Sequence, residues 1–556
     1  MFVNRPIAIL FAIESVVVWA LLAAFASRTR KTRIALALFA SALFGLQAFL
    51  YRYLQAPLDV QIADATLHSW YDVKPIILRN LPHVALLSLC AFVAGSVALE
   101  LAPRFHPRLP QGVLGVVVLV GLFFDDPRHA SSDVRGLHAL KALRREKPRE
   151  VVGAIALPPL HSDRAAMPNV LFVLTESVRA ADYTDETAPQ TSALFSDRID
   201  LREMRSVASY TVVSLSALVT GRSQEASRDE ILRAANIFDF GHAAGSWVSY
   251  HSAHSRDTFE TKDVRAAVDR FVTLEDLANR EYIEDDSDLI VQPLDRMLVD
   301  RFVADIGGAT RPKLSMLHVG GTHAPYFFEP SDARFTPWDR VIAWSTMPTL
   351  RNAYKNSIYV QDKEIARAIK AFVASCGSEP WMVIFTSDHG EAFGEHGAIH
   401  HGQGLHDEQV HVPGWVAAGN GAITDAQRRA LADQAGSFVT HLDVLPTILD
   451  AMGLWDNYAV DAHRRAMRGR SLLRSLGDAP IIPVTNCTTM FHCVLNTWGL
   501  LAGDRKLISQ TWDNGWWCFD LNGGEHIAPA SDPVCTQLRE ESRRHFPLLP
   551  NGAPNR

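Results

Sequence analysis

Two short apolar runs of this chain end in residues that can ligate a metal ion. Asn169–Thr175 (NVLFVLT) runs into Glu176, and WMVIFT (residues 381–386) leads through Ser387 into Asp388, His389, Gly390 and Glu391. A single Glu at a strand end is ordinarily a cap or an ion-pair partner, and a single Asp-His pair is often structural. Two acidic strand ends in one domain point further, to a divalent-cation site. A third stretch runs from Tyr210 and Thr211 to Gly221, with Val212, Leu215, Leu218 and Val219 at helical spacing. That places Thr211 near the start of a helix that Gly221 ends. As an N-cap, its hydroxyl would accept a backbone N–H. As a nucleophile, it would use the positive field of the helix terminus and an adjacent metal ion to reach the alkoxide form. His323, in Gly-Thr-His-Ala-Pro, and His396, His400 and His401 complete the candidates, although a chain with 22 histidines clusters some on its surface by chance.

These residues need elements to position them. The β-branched runs ending at Glu176 and Asp388 read as buried strands. Residues 356–372 between them read as an amphipathic helix, with Ile358, Val360, Ile365, Ile369 and Phe372 able to face a core. Strands alternating with helices from about Pro168 predict an α/β domain with helices on both faces of its sheet, and ligands in such sheets bind beyond the carboxyl ends of the strands. There is no internal repeat, and the only low-complexity tract is the polar tail, residues 550–556.

The first 125 residues have a different character. Apolar runs occupy residues 6–26, 34–50, 84–101 and 109–124. About 20 apolar residues cross a bilayer, with ~17 as the lower edge, so the first three runs qualify and the fourth is marginal. A cleaved signal peptide is the alternative for the first run. Arg28, Arg30, Lys31 and Arg33 follow the first run, and Arg104 and Arg108 follow the third. Both loops are therefore expected to be cytoplasmic, with everything after Phe124 outside, although basic residues just beyond the fourth run oppose this. Glu14 would be an intramembrane carboxylate, either functional or paired within the bundle. Val134, Leu137, Leu140 and Leu143, among basic residues, suggest an interfacial helix or a solvated linker helix. The expected organisation is a transmembrane domain of about four helices (1–125), a juxtamembrane linker (126–165) and an extracytoplasmic catalytic domain (166–556).

The 556-residue chain is long enough for several domains. Lys+Arg 54 against Asp+Glu 61 gives a net charge of -7, which argues against a nucleic-acid partner. Of six cysteines, Cys487 with Cys493 and Cys518 with Cys535 are close pairs. They are expected to form two disulfides, which need an oxidising compartment. Cys376 is expected to be a small buried residue.

In order, these motifs resemble the alkaline phosphatase/sulfatase superfamily from about Pro168 to Asp520. NVLFVLTESVRAADY (169–183) looks like the opening metal strand, and residues 211–221 resemble the sulfatase signature C-x-P-S-R-x-S-L-L-T-G. GTHAPY (321–326), TSDHGEAFGEHG (386–397), HLDVLPTILDAMGL (441–454) and GRSLL (469–473) complete the set, with residues 498–508 and 518–521 as closing strands. Thr211 stands where sulfatases carry the Cys or Ser oxidised to formylglycine, so that chemistry is closed to it. Val213 and Leu215 replace the signature's Pro and Arg, and Glu176-Ser177 replaces the paired Asp residues of calcium-binding sulfatases.

What remains resembles the membrane-anchored branch, the lipid A phosphoethanolamine transferases and lipoteichoic-acid synthases. The resemblance implies an N-terminal helical membrane bundle followed by an α/β domain with a central mixed sheet. It implies one divalent metal ion, zinc or alternatively manganese, on Glu176, Thr211, Asp388 and His389. His323 and His401 would contact the transferring phosphoryl group, with His400 not excluded. It further implies a cytoplasmic (inner) membrane location with a periplasmic catalytic domain, a phospholipid donor, and an envelope glycan or lipid acceptor. The implied reaction forms a phospho-threonine and passes a lipid headgroup on. Alternatives are a membrane-bound sulfatase-like ester hydrolase and a non-catalytic member.

Overall fold

The computed structural model describes residues 30–54 and 80–93 and, with interruptions, 155–545. The chain divides into two compact units, Met1–Pro148 and Arg149–Arg556. In the first, the apolar run 34–50 lies in helix α1 (Arg30–Leu54), and residues 80–93 are helical. Among the described residues no helix is long and apolar enough to cross a membrane. The runs 6–26 and 109–124, Glu14 and the basic segment 134–147 lie outside the described residues.

The second unit is built on a seven-stranded mixed sheet. Its strands are β1 (Asn169–Thr175), β2 (Ile199–Asp200), β3 (Trp247–Ser252), β4 (Arg270–Val272), β5 (Lys313–Val319), β6 (Trp381–Ser387) and β7 (Gly414–Gly419). Their order is β2-β7-β6-β1-β5-β3-β4. The five strands from β6 to β4 are parallel, while β7 runs antiparallel to both β6 and β2.

All seven residues of β1, β5 and β6 are buried, as strands covered on both faces of a sheet must be, and β5 buries Lys313, Ser315 and His318 with its apolar residues. Alternation along β1 sends Val170, Phe172 and Leu174 into one core, with Leu215 and Leu218 of α2 (Thr211–Thr220). Leu171 and Val173 enter the other, with Leu298 and Phe302 of α3 (Leu294–Ile306) and Ile365, Ile369 and Phe372 of α4 (Met347–Cys376). Each such side chain contributes about 1.5–3 kcal/mol.

Helix α4 is 30 residues long, well beyond the expected 356–372. Its early turns leave the sheet and pack Leu350, Tyr354 and Ile358 against Tyr326, Phe328 and Phe393, with Val360 partly buried there. A single apolar stripe thus serves two cores.

A second, antiparallel sheet closes the unit. It runs in sequence order through β8 (Ile482–Thr488), β9 (His492–Ala502), β10 (Arg505–Gln510), β11 (Trp516–Asp520) and β12 (His526–Ile527). Helix α5 (Pro533–His545) is tied to β11 by the disulfide Cys518–Cys535. Cys487 lies opposite Cys493 in the β8–β9 backbone register; their side chains lie outside the described residues. Cys376 is buried with a free thiol.

The register decides where chemistry can occur. Thr175 pairs with Ser387 on one side and Val319 on the other, so β1, β5 and β6 end level. Glu176 and Asp388 therefore emerge side by side.

Candidate active site and metal centre

Glu176 and Asp388 leave adjacent strand ends, both with no exposed surface. The Asp388 N–H donates to Thr175 O at 2.9 Å. Asp388 Oδ1 accepts the N–H groups of Ser177 (2.9 Å) and His389 (2.7 Å). Ser177 has φ 57°, uncommon for a residue other than glycine. Tyr354 holds that turn by donating its hydroxyl to Ser177 O at 2.8 Å. The chain can turn tightly after His389 because Gly390 has no side chain: a Cβ there would lie 2.4 Å from Glu408 O.

Helix α2 brings the hydroxyl. Its N-cap is Tyr210, with no side-chain cap hydrogen bond, and Thr211 is the first helical residue. The N-cap reading of Thr211 is thus corrected: a residue inside the first turn cannot cap it, and the side chain points elsewhere. Thr211 Oγ1 lies 3.1 Å from His389 Nε2 and 3.4 Å from each oxygen of Glu176. Gly221 ends the helix at φ 63°, as its sequence position suggests.

His389 donates Nδ1–H to Gly390 O at 2.9 Å, so Nε2 is the nitrogen turned to the site. It lies 3.3 Å from Glu176 Oε1 and 3.3 Å from Asp388 Oδ2. Ligand atoms on a tetrahedral zinc, at 2.0–2.1 Å each, are about 3.3 Å apart. The separations of 3.1–3.4 Å that link Glu176, Thr211, Asp388 and His389 match that edge. Asp388 Oδ2 is buried without a hydrogen-bond partner among the described residues.

The charge balance points the same way. Burial pushes the Asp388 carboxyl well up, and the neighbouring Glu176 charge adds to it. Burial opposes the charged form of His389 too, yet the Asp388 charge and the bond and charge of Glu176 lift it to about 10. Burial would also raise Glu176, but the bond and charge of His389 hold it well below the usual carboxylate range. Protons thereby offset two buried carboxylates, an offset a divalent cation at this point would supply. The residues fit such an ion.

Two of the four candidate histidines join this cluster. The His401 ring is 4.3 Å from that of His389 and 5.5 Å from that of His323. His401 Nδ1 is 3.0 Å from Glu391 Oε2, and His323 donates Nδ1–H to Ala324 O at 2.8 Å. In both rings Nε2 is the other nitrogen. His400, at φ 66°, turns to Glu391 Oε1 (2.7 Å) and Tyr326 Oη (3.2 Å). His396 pairs with Glu408 and stacks on His406, outside the cluster.

Other side chains that the sequence did not single out as site residues also gain a place. His441 donates Nε2–H to Ser387 O at 2.9 Å, and its Nδ1 is 2.9 Å from Ser214 Oγ, which in turn donates to Asp388 O. Burial pushes His441 down to about 3, so it stands neutral and locks α2 onto the end of β6. Ser214 is thereby engaged with the backbone, and Ser209 donates to Gly404 O at 2.6 Å. His254 and His318 approach Glu176 Oε2 at 3.3 and 3.9 Å. His254 falls in no motif and His318 just ahead of GTHAPY (321–326), and only the folded sheet sets both against Glu176.

A family model described as Sulfatase matches residues 168–454. The phosphatidylethanolamine transferase Mcr-1 of Escherichia coli is 30% identical over 159 residues, 27% of this chain and 28% of that protein. The phosphoethanolamine transferase EptA of Helicobacter pylori is 24% identical over 255 residues, 44% of this chain and 46% of that protein. The chain thus spans between about a quarter and a half of the length of these curated relatives. The solved integral membrane protein lipooligosaccharide phosphoethanolamine transferase A of Neisseria meningitidis aligns with a TM-score of 0.57 at 18% identity. That alignment covers 75% of this chain and 84% of that one, a likeness of fold.

Proposed function

The chain belongs to the sulfatase family of the alkaline phosphatase superfamily, and we propose that it is a membrane-anchored, metal-dependent phospho-group transferase. It moves a lipid headgroup of phosphoethanolamine or phosphoglycerol type through Thr211 to an extracytoplasmic hydroxyl or phosphate. The observation that carries this reading is Thr211 Oγ1, 3.1 Å from His389 Nε2 at the first position of α2. The transferases among the curated relatives support it.

Glu176, Thr211, Asp388 and His389 would hold the ion, for which their oxygen and imidazole donors favour zinc, with manganese the alternative. When bound, a divalent cation lowers the pKa of a ligating hydroxyl and polarises a phosphoryl oxygen. The positive terminus of α2 favours the same anionic oxygen. Thr211 Oγ attacks the donor phosphorus; the bond from phosphorus to the diacylglycerol oxygen breaks, and that oxygen takes a proton and leaves. His323 and His401, each with Nδ1 fixed on an acceptor, are placed to hold the phosphoryl oxygens and to pass that proton through Nε2. The acceptor oxygen then attacks phosphorus, the bond to Thr211 breaks, and the hydroxyl is restored.

The anchor is residues 1–125, with 126–165 as linker and 166–556 on the periplasmic side of the cytoplasmic membrane. The disulfide Cys518–Cys535 suits that compartment. An anchored site meets a membrane donor without a three-dimensional search. The family's description favours one other reading, hydrolysis with water as the acceptor.

The test uses purified full-length protein with vesicles of headgroup-labelled phosphatidylethanolamine. Mass spectrometry of the Thr211 peptide should find the headgroup phosphate on Thr211 itself. Turnover without any modification of Thr211 overturns the covalent route, and release of the free headgroup phosphate in the presence of acceptor selects hydrolysis.

A further inference from the structure

We propose that Glu176 bridges two metal ions, the second held by Glu176 Oε2, His254 and His318. The three supporting elements are neighbours in the sheet. Glu176 follows β1, His318 is the penultimate residue of β5, and His254 lies two residues beyond β3. Glu176 Oε2 is 3.3 Å from His254 Nε2 and 3.9 Å from His318 Nε2. All three ligand atoms lie within 4.8 Å of one another. The other oxygen, Oε1, faces His389 at 3.3 Å, so the two edges of one carboxylate address two separate groups of nitrogen donors.

The two nitrogen donors have no hydrogen bond among the described residues that occupies them. Nε2 of His254 and Nε2 of His318 are both buried and lack a hydrogen-bond partner among the described residues. The His318 side chain has no exposed surface and that of His254 has 9%. Buried polar nitrogens are almost always paired, so two orphans aimed at one carboxylate oxygen need an explanation. Their rings stack at 4.3 Å with 28° between planes, with one ligand nitrogen of each within 4.8 Å of the other and of Glu176. Tyr250 Oη stands 3.5 Å from His318 Nδ1, where a ligating imidazole takes its outer partner. Gly320 leaves the wall open, since a Cβ there would lie 3.4 Å from His254 Nε2.

Two imidazoles and one carboxylate are a three-ligand set for zinc that leaves a fourth position for an exogenous oxygen. Beside the Thr211 site, that position suits a second oxygen of the transferring phosphoryl group. The proposal rests on the proposed function only in sharing Glu176.

The test is metal counting on full-length protein, stripped by chelation and titrated with zinc alone, with bound metal read by native and elemental mass spectrometry. Wild type should take two zinc ions per chain. His254→Asn and His318→Asn should each take one, and Asp388→Asn should lose the other. Two ions retained in both histidine variants, or one in wild type that they keep, overturns the proposal. Two ions retained in Asp388→Asn together with loss of one in His254→Asn removes Asp388 from the Thr211 site's ligands and leaves this proposal standing. A readout on wild type covers the case in which the histidine variants fail to fold. Pulsed EPR of the cobalt-loaded protein should count three ligating imidazoles, His254, His318 and His389, and a count of one overturns the proposal.

Discussion

Thr211 Oγ1 lies 3.1 Å from His389 Nε2, although 178 residues separate them in the chain. The contact exists because α2 begins against the carboxyl end of β6, where Ser214 and His441 fasten it.

The first prediction tests that hydroxyl. Thr211 makes no capping bond, so Thr211→Ala should cost less than the ~1 kcal/mol of a lost N-cap. Turnover should fall by about 10³-fold or more, as when a nucleophile is removed. Thr211→Ser should retain part of the activity. Thermal melts and headgroup release measure the two effects separately, and near-wild-type turnover by Thr211→Ala would exclude the nucleophile role.

In metal-free protein, burial and the Glu176 charge oppose the ionised form of Asp388, a cost that Asp388→Asn removes. In chelator, Asp388→Asn should therefore melt above wild type. With zinc at 100 times its Kd, wild type should gain about 2.7 kcal/mol per site. Asp388→Asn should lose the share contributed by the Thr211 site. Equal zinc-induced shifts in the two proteins would sink the ligand assignment.

Acid sensitivity should centre on Lys506, fully buried, with Nζ 2.6 Å from Asp407 and 3.3 Å from Glu525. Burial would raise Glu525, but the Lys506 charge and the bond from His406 bring it down to about 2. Asp407 is likewise held low against burial by Lys506 and Arg205. Both folded values lie below the unfolded ones, so the unfolded chain binds more protons. This stability is complete above about pH 5 and is lost as pH falls toward 2. Lys506→Met should cost about 3–5 kcal/mol at neutral pH. Urea melts from pH 7 to 3 should show a flatter pH slope in that variant, and an unchanged slope would refute the assignment.

Gly390→Ala puts a methyl group against Glu408 O and must shift the loop that carries His389. A stability loss of about 1–3 kcal/mol is expected. A shift of about 1 Å in His389 could remove ~10²-fold of the activity. Wild-type metal content, melting and turnover in Gly390→Ala would show that the loop does not position the imidazole.

Topology is open to a separate check. A reporter active only in the cytoplasm, fused after Arg556, should be silent. A strong signal would reverse the proposed orientation.

Much of this could be read along the chain, and for a local reason. An unbroken β-branched run is buried on both faces wherever it pairs, so β1 and β6 and the acidic residues at their ends were legible one segment at a time. The start of α2 and its end at Gly221 were legible for the same reason. Spacing could not say which way Thr211 faces, because one position forward or back turns a side chain about 100° around a helix axis. Nor could it separate His401 from His400. That choice depends on the left-handed turn at His400 and on Glu391, which takes one ring on each oxygen. His254 and His318 are furthest from prediction. Each is an ordinary histidine in its own segment, and only the order β1-β5-β3 sets both against Glu176 Oε2. Local sequence determined which residues end strands and begin helices. The tertiary structure decided which of those ends meet, because strand order and register are set by the packing of both cores at once.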